Sequence, residues 1–267
     1  MTLLQSFILG IIQGLTEFIP ISSTGHLLIA QRLMGIPPSD EVFSFLVIVQ
    51  LGTLVSLLAF YWKELLSIAM SVLKFRTPSQ DRDLGFHIII STIPALIMGF
   101  LFNDLVESSF DQPFLQASIR LFTAAILMAL AERFSSKTRH LDSITWSDAL
   151  FVGLMQILAV FPGASRSGTT ISGGMYRGFD RPSAARFAFL MSVPIMLAAG
   201  AYESLKVLEM SNTRELIPVF AVGFVTAAVV GWFSIRWLIH YLSHRSLYVF
   251  AIYCAVVGAV VFLLRFL

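Results

Sequence analysis

Gln13-Gly14-Leu15-Thr16-Glu17-Phe18-Ile19-Pro20-Ile21-Ser22-Ser23-Thr24-Gly25-His26 cuts the otherwise apolar stretch Leu3–Met34 in two. Proline removes a backbone donor and glycine permits positive φ, so a helix entering this run stops within it. Two half-helices joined by a turn are expected. Irregular backbone survives at membrane depth only when it is buried in protein or lines a wet cavity. The stretch therefore reads as a re-entrant hairpin. Ala149–Met175 has the same character, broken by Gln156, by Pro162-Gly163 and by Ser165-Arg166-Ser167-Gly168.

The chain around these segments is apolar throughout. Of its 267 residues 57% are hydrophobic and 13% charged, where soluble domains carry about 25% charged residues. Mean hydropathy is +0.82. A single membrane domain over 1–267 is the simplest reading. Spanning the hydrocarbon takes about 20 apolar residues in a helix. Six stretches approach this: Phe43–Trp62, Phe86–Phe102, Phe114–Leu130, Phe187–Tyr202, Leu216–Ile239 and Leu247–Leu264. Leu3–Ile12 lacks the preceding Lys or Arg and the cleavage site of a signal peptide, and reads as mature structure. Cys254 is the single cysteine, which excludes an intramolecular disulfide and a cysteine-based metal cluster.

The two hairpins look like copies. At an offset of 143 (Gly10 to Gly153), Gln13 matches Gln156, Leu15 matches Leu158 and Phe18 matches Phe161. Ser22 and Gly25 match Ser165 and Gly168 in the same register, and Ile93-Pro94…Gly99-Phe100 resembles Ile217-Pro218…Gly223-Phe224. Each half is a hairpin followed by three spans, about 1–133 and about 146–267. Three is odd, so the second half is inverted relative to the first. The expected fold is all-α: an inverted-topology repeat of six transmembrane helices and two re-entrant hairpins meeting near the midplane. Lys63, Lys74, Arg76 and Arg82 share one loop, Arg133, Lys137 and Arg139 another. Arg177, Arg181, Arg186, Arg236 and Arg245 fall on the same side when the spans alternate. That side is cytoplasmic by the positive-inside rule. The termini and the first hairpin's mouth then face outward.

Ionisable groups within a membrane domain are expensive, so each is a functional candidate. Glu17 follows Gln13 by four residues and shares its helix face. A carboxylate there could act as general acid or base, help hold a divalent cation, or cap a neighbouring helix. Ser22, Ser23, Thr24, Gly25 and His26 offer hydroxyls, an imidazole and a helix N-terminus suited to anions. Ordinary capping explains one of those hydroxyls. Ser165, Ser167, Gly168 and Thr170 repeat the pattern around Arg166, whose planar fork suits phosphate. Glu17 is an alternative, purely structural partner for Arg166. Arg120 near a span end reads as snorkelling, and His87, His240 and His244 as interfacial. No spacing marks a protein-built metal site, a phosphate loop or a dinucleotide fingerprint.

The run from Gln13 to Leu27 closely resembles the first signature of the undecaprenyl-diphosphate phosphatases associated with bacitracin resistance. Pro162-Gly163-Ala164-Ser165-Arg166-Ser167-Gly168-Thr169-Thr170 resembles the second. Length and segment order match over essentially the whole chain. The resemblance implies hydrolysis of undecaprenyl diphosphate to the monophosphate carrier and phosphate, at the outer face of the bacterial inner membrane. It implies a multi-pass enzyme that recycles the carrier for cell-wall synthesis and confers bacitracin resistance. By motif position Glu17, Ser23, His26 and Arg166 form the core. Gln13, Ser22, Thr24, Gly25, Ser165, Ser167, Gly168 and Thr170 surround the phosphate. Gln13 stands where the family has Glu or Gln. A Mg²⁺ or Ca²⁺ requirement would therefore rest on Glu17 and the diphosphate itself. Membrane lipid is an expected partner, nucleic acid is not, and a homodimer is left open.

The acid-phosphatase-like lipid phosphatases are a weaker fit. Thr24-Gly25-His26 resembles their Ser-Gly-His element, but Gly174 stands where Arg181-Pro182 would need a preceding Lys. The next histidine after Ser165-Arg166 is His240. The expected chemistry is in-line attack on the terminal phosphorus by Ser23, or by water, with Glu17 or His26 as base. A transporter or flippase of an anionic lipid phosphate is the rival, because inverted repeats with broken helices also serve transport.

Overall fold

The computed structural model describes residues 1–74, 76–101, 113–160, 164–209 and 213–266. Its regular structure is helical: α1 Leu3–Thr16, α2 Ser23–Leu33, α3 Asp40–Phe60, α4 Trp62–Leu73, α5 Gln80–Leu101 and α6 Pro113–Phe134. A 3₁₀ turn at Leu141–Ser143 precedes α7 Trp146–Val160, α8 Arg166–Tyr176, α9 Arg181–Glu209, α10 Thr213–Leu242 and α11 Tyr248–Leu264.

Five of these helices, α3, α5, α6, α9 and α10, are long and apolar enough to cross a membrane. The chain is a multi-pass membrane protein. The sixth expected span is α11, which at 17 residues belongs with the shorter apolar helices, as do α1 and α7. The basic loop expected after the first span is partly the helix α4, which packs on α5. The Phe102 boundary of the second expected span lies outside the described residues.

Local chemistry sets the helix ends. Thr2 caps α1 in a capping box, its hydroxyl accepting from the Gln5 N–H while the Gln5 side chain accepts from the Thr2 N–H. Ser39 caps α3, and Asp40 and Glu41 occupy its first turn, where the helix dipole favours carboxylates. Ser22 caps α2 from a left-handed backbone, φ 69°, a region that a non-glycine residue enters only under constraint. Ser165 caps α8 from an extended backbone. Both serines accept from the N–H of the glycine three residues on, Gly25 and Gly168, at 3.3 Å. The expected break between α1 and α2 is present. Of the second break, Phe161 and Pro162-Gly163 lie outside the described residues.

Small residues decide which helices cross closely. A Cβ built on Gly52 would lie 2.3 Å from the Phe224 carbonyl oxygen, so α3 meets α10 backbone to backbone. Gly10 approaches Gly223 in the same way, bringing α1 onto α10, and Gly153 approaches Ser91, bringing α7 onto α5. Without a hydrophobic drive between helices in lipid, such close contact is what holds them. The larger core cluster closes around Phe18, whose ring meets Phe189 edge-on at 5.4 Å. α6 packs against both α2 and α8, so the two short polar helices share one wall.

Candidate active site

α1 ends at Thr16, and Glu17 is its C-cap, with its N–H on the Gln13 carbonyl at 2.9 Å. The carboxylate is 4% exposed. A charge so deeply buried must be matched by donors or it costs several kcal/mol. Four donors reach it. Oε2 accepts from Gln13 Nε2 at 2.8 Å and from Ser23 Oγ at 2.6 Å. Oε1 accepts from Gln50 Nε2 at 3.3 Å and from Arg166 Nη2, which also forms an ion pair with it. The expected i, i+4 pairing of Gln13 with Glu17 is present, and two segments 149 residues apart meet on one carboxylate. Ser167 Oγ donates to the Ile19 carbonyl at 3.4 Å, a second link from α8 to the first turn.

These groups line a cavity of about 300 Å³, several times the ~30 Å³ share of one water. Gln13, Glu17, Ser22, Ser23 and Thr24 contribute from the first segment, Ser165, Arg166 and Ser167 from the second. The charged residues of the described lining are one carboxylate, Glu17, and two guanidiniums, Arg120 and Arg166. The balance favours an anion.

Four expected site residues lie outside that lining. Thr170 turns back on its own helix, Oγ1 donating to the Arg166 carbonyl at 2.8 Å. Gly25 and Gly168 face α6: Cβ atoms built on them would come within 3.7 Å of Ala117 Cα and 3.3 Å of Ala124 Cβ. At Gly168 that contact is tighter than a side chain normally makes, whereas at Gly25 it is ordinary van der Waals contact. His26 is half-buried, with Nδ1 2.9 Å from the Ser22 carbonyl and Nε2 2.8 Å from the Tyr253 hydroxyl. A carbonyl only accepts, so Nδ1 carries a proton, and in the neutral ring Nε2 accepts from the Tyr253 hydroxyl. The Tyr253 ring also stacks on the imidazole, 5.7 Å between centroids.

The structure adds residues that the sequence reading passed over, and corrects one. Arg120 does not snorkel. It is 7% exposed, donates from Nη1 to the Ala164 carbonyl at 3.2 Å and lines the cavity. Gln50 and Gln156 line it as well. Gln50 is the single amide in the span Phe43–Trp62 and Arg120 the single charge in Phe114–Leu130. The cost of polar groups in a span was the signal for both. Nothing in the local pattern marks Tyr253 as the partner of His26.

A family model described as "Bacitracin resistance protein BacA" matches residues 6–260. An undecaprenyl-diphosphatase of Chloroherpeton thalassium is 40% identical over 280 residues, covering 100% of this chain and 97% of that protein. Those of Alkaliphilus metalliredigens and Rubrobacter xylanophilus are 36% and 38% identical, covering 100% and 97% of this chain and the same shares of their own. The chain belongs to the BacA family of bacitracin-resistance proteins.

Proposed function

We propose that this BacA-family protein is an undecaprenyl-diphosphatase: a membrane hydrolase that cleaves undecaprenyl diphosphate to undecaprenyl phosphate and phosphate, returning the carrier lipid to cell-wall synthesis. The observation that carries the reading within the structure is the Ser23 hydroxyl, 2.6 Å from a buried Glu17 carboxylate that Arg166 also holds. That is a nucleophile, a base and a phosphate-binding cation in one cavity.

The chemistry follows from these placements. Glu17 Oε2 takes the Ser23 proton as Oγ attacks the terminal phosphorus. The Oγ–P bond forms as the bond to the bridging oxygen breaks, and undecaprenyl phosphate departs on that oxygen. Water then attacks the phosphoserine phosphorus and gives a proton to a phosphate oxygen, the Oγ–P bond breaks, Ser23 Oγ takes back the proton held on Glu17, and phosphate is released. Arg166 passes from Glu17 to the phosphate oxygens. Its Nη1 is buried with no partner among the described residues, so one arm of the fork is free to make that exchange. Thr24, Ser167 and the N-terminal amides of α2 and α8 complete the phosphate cradle, with Ser22 and Ser165 fixing the two termini as caps. Gly25, Gly168 and Thr170 serve by holding the helix ends. Gln13 and Gln50 orient the carboxylate. His26 acts through the Ser22 carbonyl, holding the strained turn that presents Ser23. Direct attack by a water on the same carboxylate is the second version of the step. Trapping of a phosphorylated Ser23 separates the two, and full activity in Ser23→Ala ends the covalent one.

A divalent cation, Mg²⁺ or Ca²⁺, is part of the proposal. The donor set is thin: no group of three His, Cys, Asp or Glu side chains stands ready for a metal among the described residues. Glu17 and the amide oxygens of Gln13 and Gln50 are hard ligands that suit such an ion when the diphosphate supplies the others. Held there, such a cation would neutralise charge on the diphosphate.

The inverted repeat and re-entrant hairpins belong to the same proposal. Shared Ser–Gly caps support them, as does the packing of α1 on α10 and of α7 on α5. The glycine contacts equate Gly223 with Ser91, not with Gly99, so the Pro94–Pro218 likeness is out of register with the packing. Repeat halves of about 1–133 and 146–267 in one membrane domain fit this arrangement. The Lys and Arg distribution supports an inner-membrane orientation with the cavity opening outward. A lipid-phosphate flippase would share the repeat, but would have no use for Ser23 on Glu17. Phosphate release from prenyl diphosphate by purified protein in detergent, where transport is meaningless, distinguishes them. A folded protein that releases none overturns the hydrolase.

A further inference from the structure

Buried polar atoms in native proteins almost always have partners, and exceptions call for an explanation. Seven such side-chain atoms lack one among the described residues. Four of them belong to three residues of the same cavity: Arg120 Nε, Gln156 Nε2 and Oε1, and Arg166 Nη1. Arg166 has the phosphate role given above. Arg120 and Gln156 have none, although both are deeply buried, 7% and 1% exposed.

Arg120 is also held in place. Ala117, Arg120 and Ala124 fall on one face of α6 by helical spacing. Ala117 lies against Gly25 at the start of α2 and Ala124 against Gly168 at the start of α8. Arg120 thus projects between the two helix N-termini, and its bond to the Ala164 carbonyl ties it to the residue before the Ser165 cap. Gln156 stands where Gln13 stands in the first hairpin, but Gln13 uses its amide on Glu17 and Thr53, whereas the Gln156 amide has no partner among the described residues.

We propose that Arg120 and Gln156 form a second anion subsite, which binds the lipid-proximal phosphate of a diphosphate headgroup while Arg166 and the hydroxyls bind the terminal one. This rests on the reading that the headgroup is a prenyl diphosphate. It explains why the cavity carries two guanidiniums against one carboxylate. A monophosphate needs one phosphate subsite; a diphosphate needs two, and the second makes the cavity selective for it. Arg120 and Gln156 are specificity-determining residues in this account. Gln156 Nε2 and Arg120 Nε donate to the non-transferred phosphate, which stays on the lipid.

The test is equilibrium binding to the full chain in detergent with Mg²⁺, using methylenebisphosphonate, which is not hydrolysed, and orthophosphate. Wild type is expected to bind the bisphosphonate at least about tenfold more tightly than orthophosphate, the gain typical of a charged hydrogen-bonded contact. Arg120→Gln is expected to bring that preference below about threefold while the orthophosphate affinity stays within about twofold. Gln156→Glu, which places a like charge in the subsite, is expected to do the same and decides the matter where Arg120→Gln does not fold. Equal weakening of both ligands, no change in either, or no preference in wild type overturns the subsite. Because binding and turnover are read separately, the outcomes stay distinct. A wild type that prefers the bisphosphonate yet releases no phosphate from prenyl diphosphate removes the hydrolase reading and leaves the subsite standing.

Discussion

Glu17 is the residue on which the site turns, because one carboxylate gathers Gln13, Ser23, Gln50 and Arg166. Glu17→Gln keeps the shape and removes the carboxylate proposed as the base, and is expected to lower kcat by about 10²–10⁴, the range general-base catalysis contributes. Gln50→Leu leaves Ser23 and Arg166 in place and removes one donor. Its kcat/KM is expected to fall about tenfold, since a hydrogen bond to a charged group is worth ~1.5–3 kcal/mol and 1.4 kcal/mol is tenfold. Steady-state phosphate release measures both. An unchanged Gln50→Leu would mean that the 3.3 Å contact does not shape the carboxylate. At this scale the sequence was informative. Glu17, Ser23 and Arg166 stood out as polar residues that a membrane segment has no reason to carry, and the same reasoning reaches Gln50 and Arg120. It was less informative about His26. The local run places it beside Ser23, and only the tertiary contact with Tyr253 shows where its second nitrogen goes.

Helix against helix, the cavity depends on how closely α6 meets α2 and α8 and how closely α3 meets α10. Gly52→Ala drives a methyl group to within 2.3 Å of a backbone oxygen that has no flexible side chain to yield. Overpacking of this kind costs about 1–3 kcal/mol, so a lowered Tm is expected, and an unchanged Tm would contradict the crossing. Asp148 ties the start of α7 to its surroundings, accepting from Arg139 at 2.7 Å and Arg177 at 2.6 Å. Burial works against its charge, but the Arg139, Thr145 and Arg177 donors outweigh it and hold the carboxyl well below the ordinary range. Asp148→Asn leaves two guanidiniums competing for a neutral amide. Breaking a fully buried pair costs about 3–5 kcal/mol, and the loss here is smaller because the Arg139 and Arg177 side chains are 31% and 38% exposed. It is read as a fall in Tm with the Glu17 cluster intact. The half-helices were legible because Pro, Gly and Ser interrupt apolar runs. α4 was not: Lys63 and the basic residues from Lys74 onward made the stretch after Trp62 look like loop, and it is helical because its apolar side lies on α5.

The whole molecule is a set of membrane-crossing helices around two polar helix starts, and the orientation proposed for it rests on where the basic residues lie. With Cys254 replaced by alanine, Lys74→Cys is expected to react with a membrane-impermeant thiol reagent only from the cytoplasmic side, and Gly35→Cys only from the outer side. The reverse pattern would turn the cavity inward. Hydropathy revealed five of the spans plainly, since length and composition decide them. The meeting of residues 17 and 166 is a property of packing that no local pattern encodes; the likeness of the two hairpins, the opposite charges of Glu17 and Arg166 and the family resemblance pointed to it. The central claim is that this meeting makes a diphosphatase. Release of phosphate from undecaprenyl diphosphate by the purified protein in detergent, wild type beside Glu17→Gln at matched Tm, tests it most directly. Steady release by wild type that falls at least about a hundredfold in Glu17→Gln is the expected result; no release by folded wild type, or undiminished release by the variant, would contradict it.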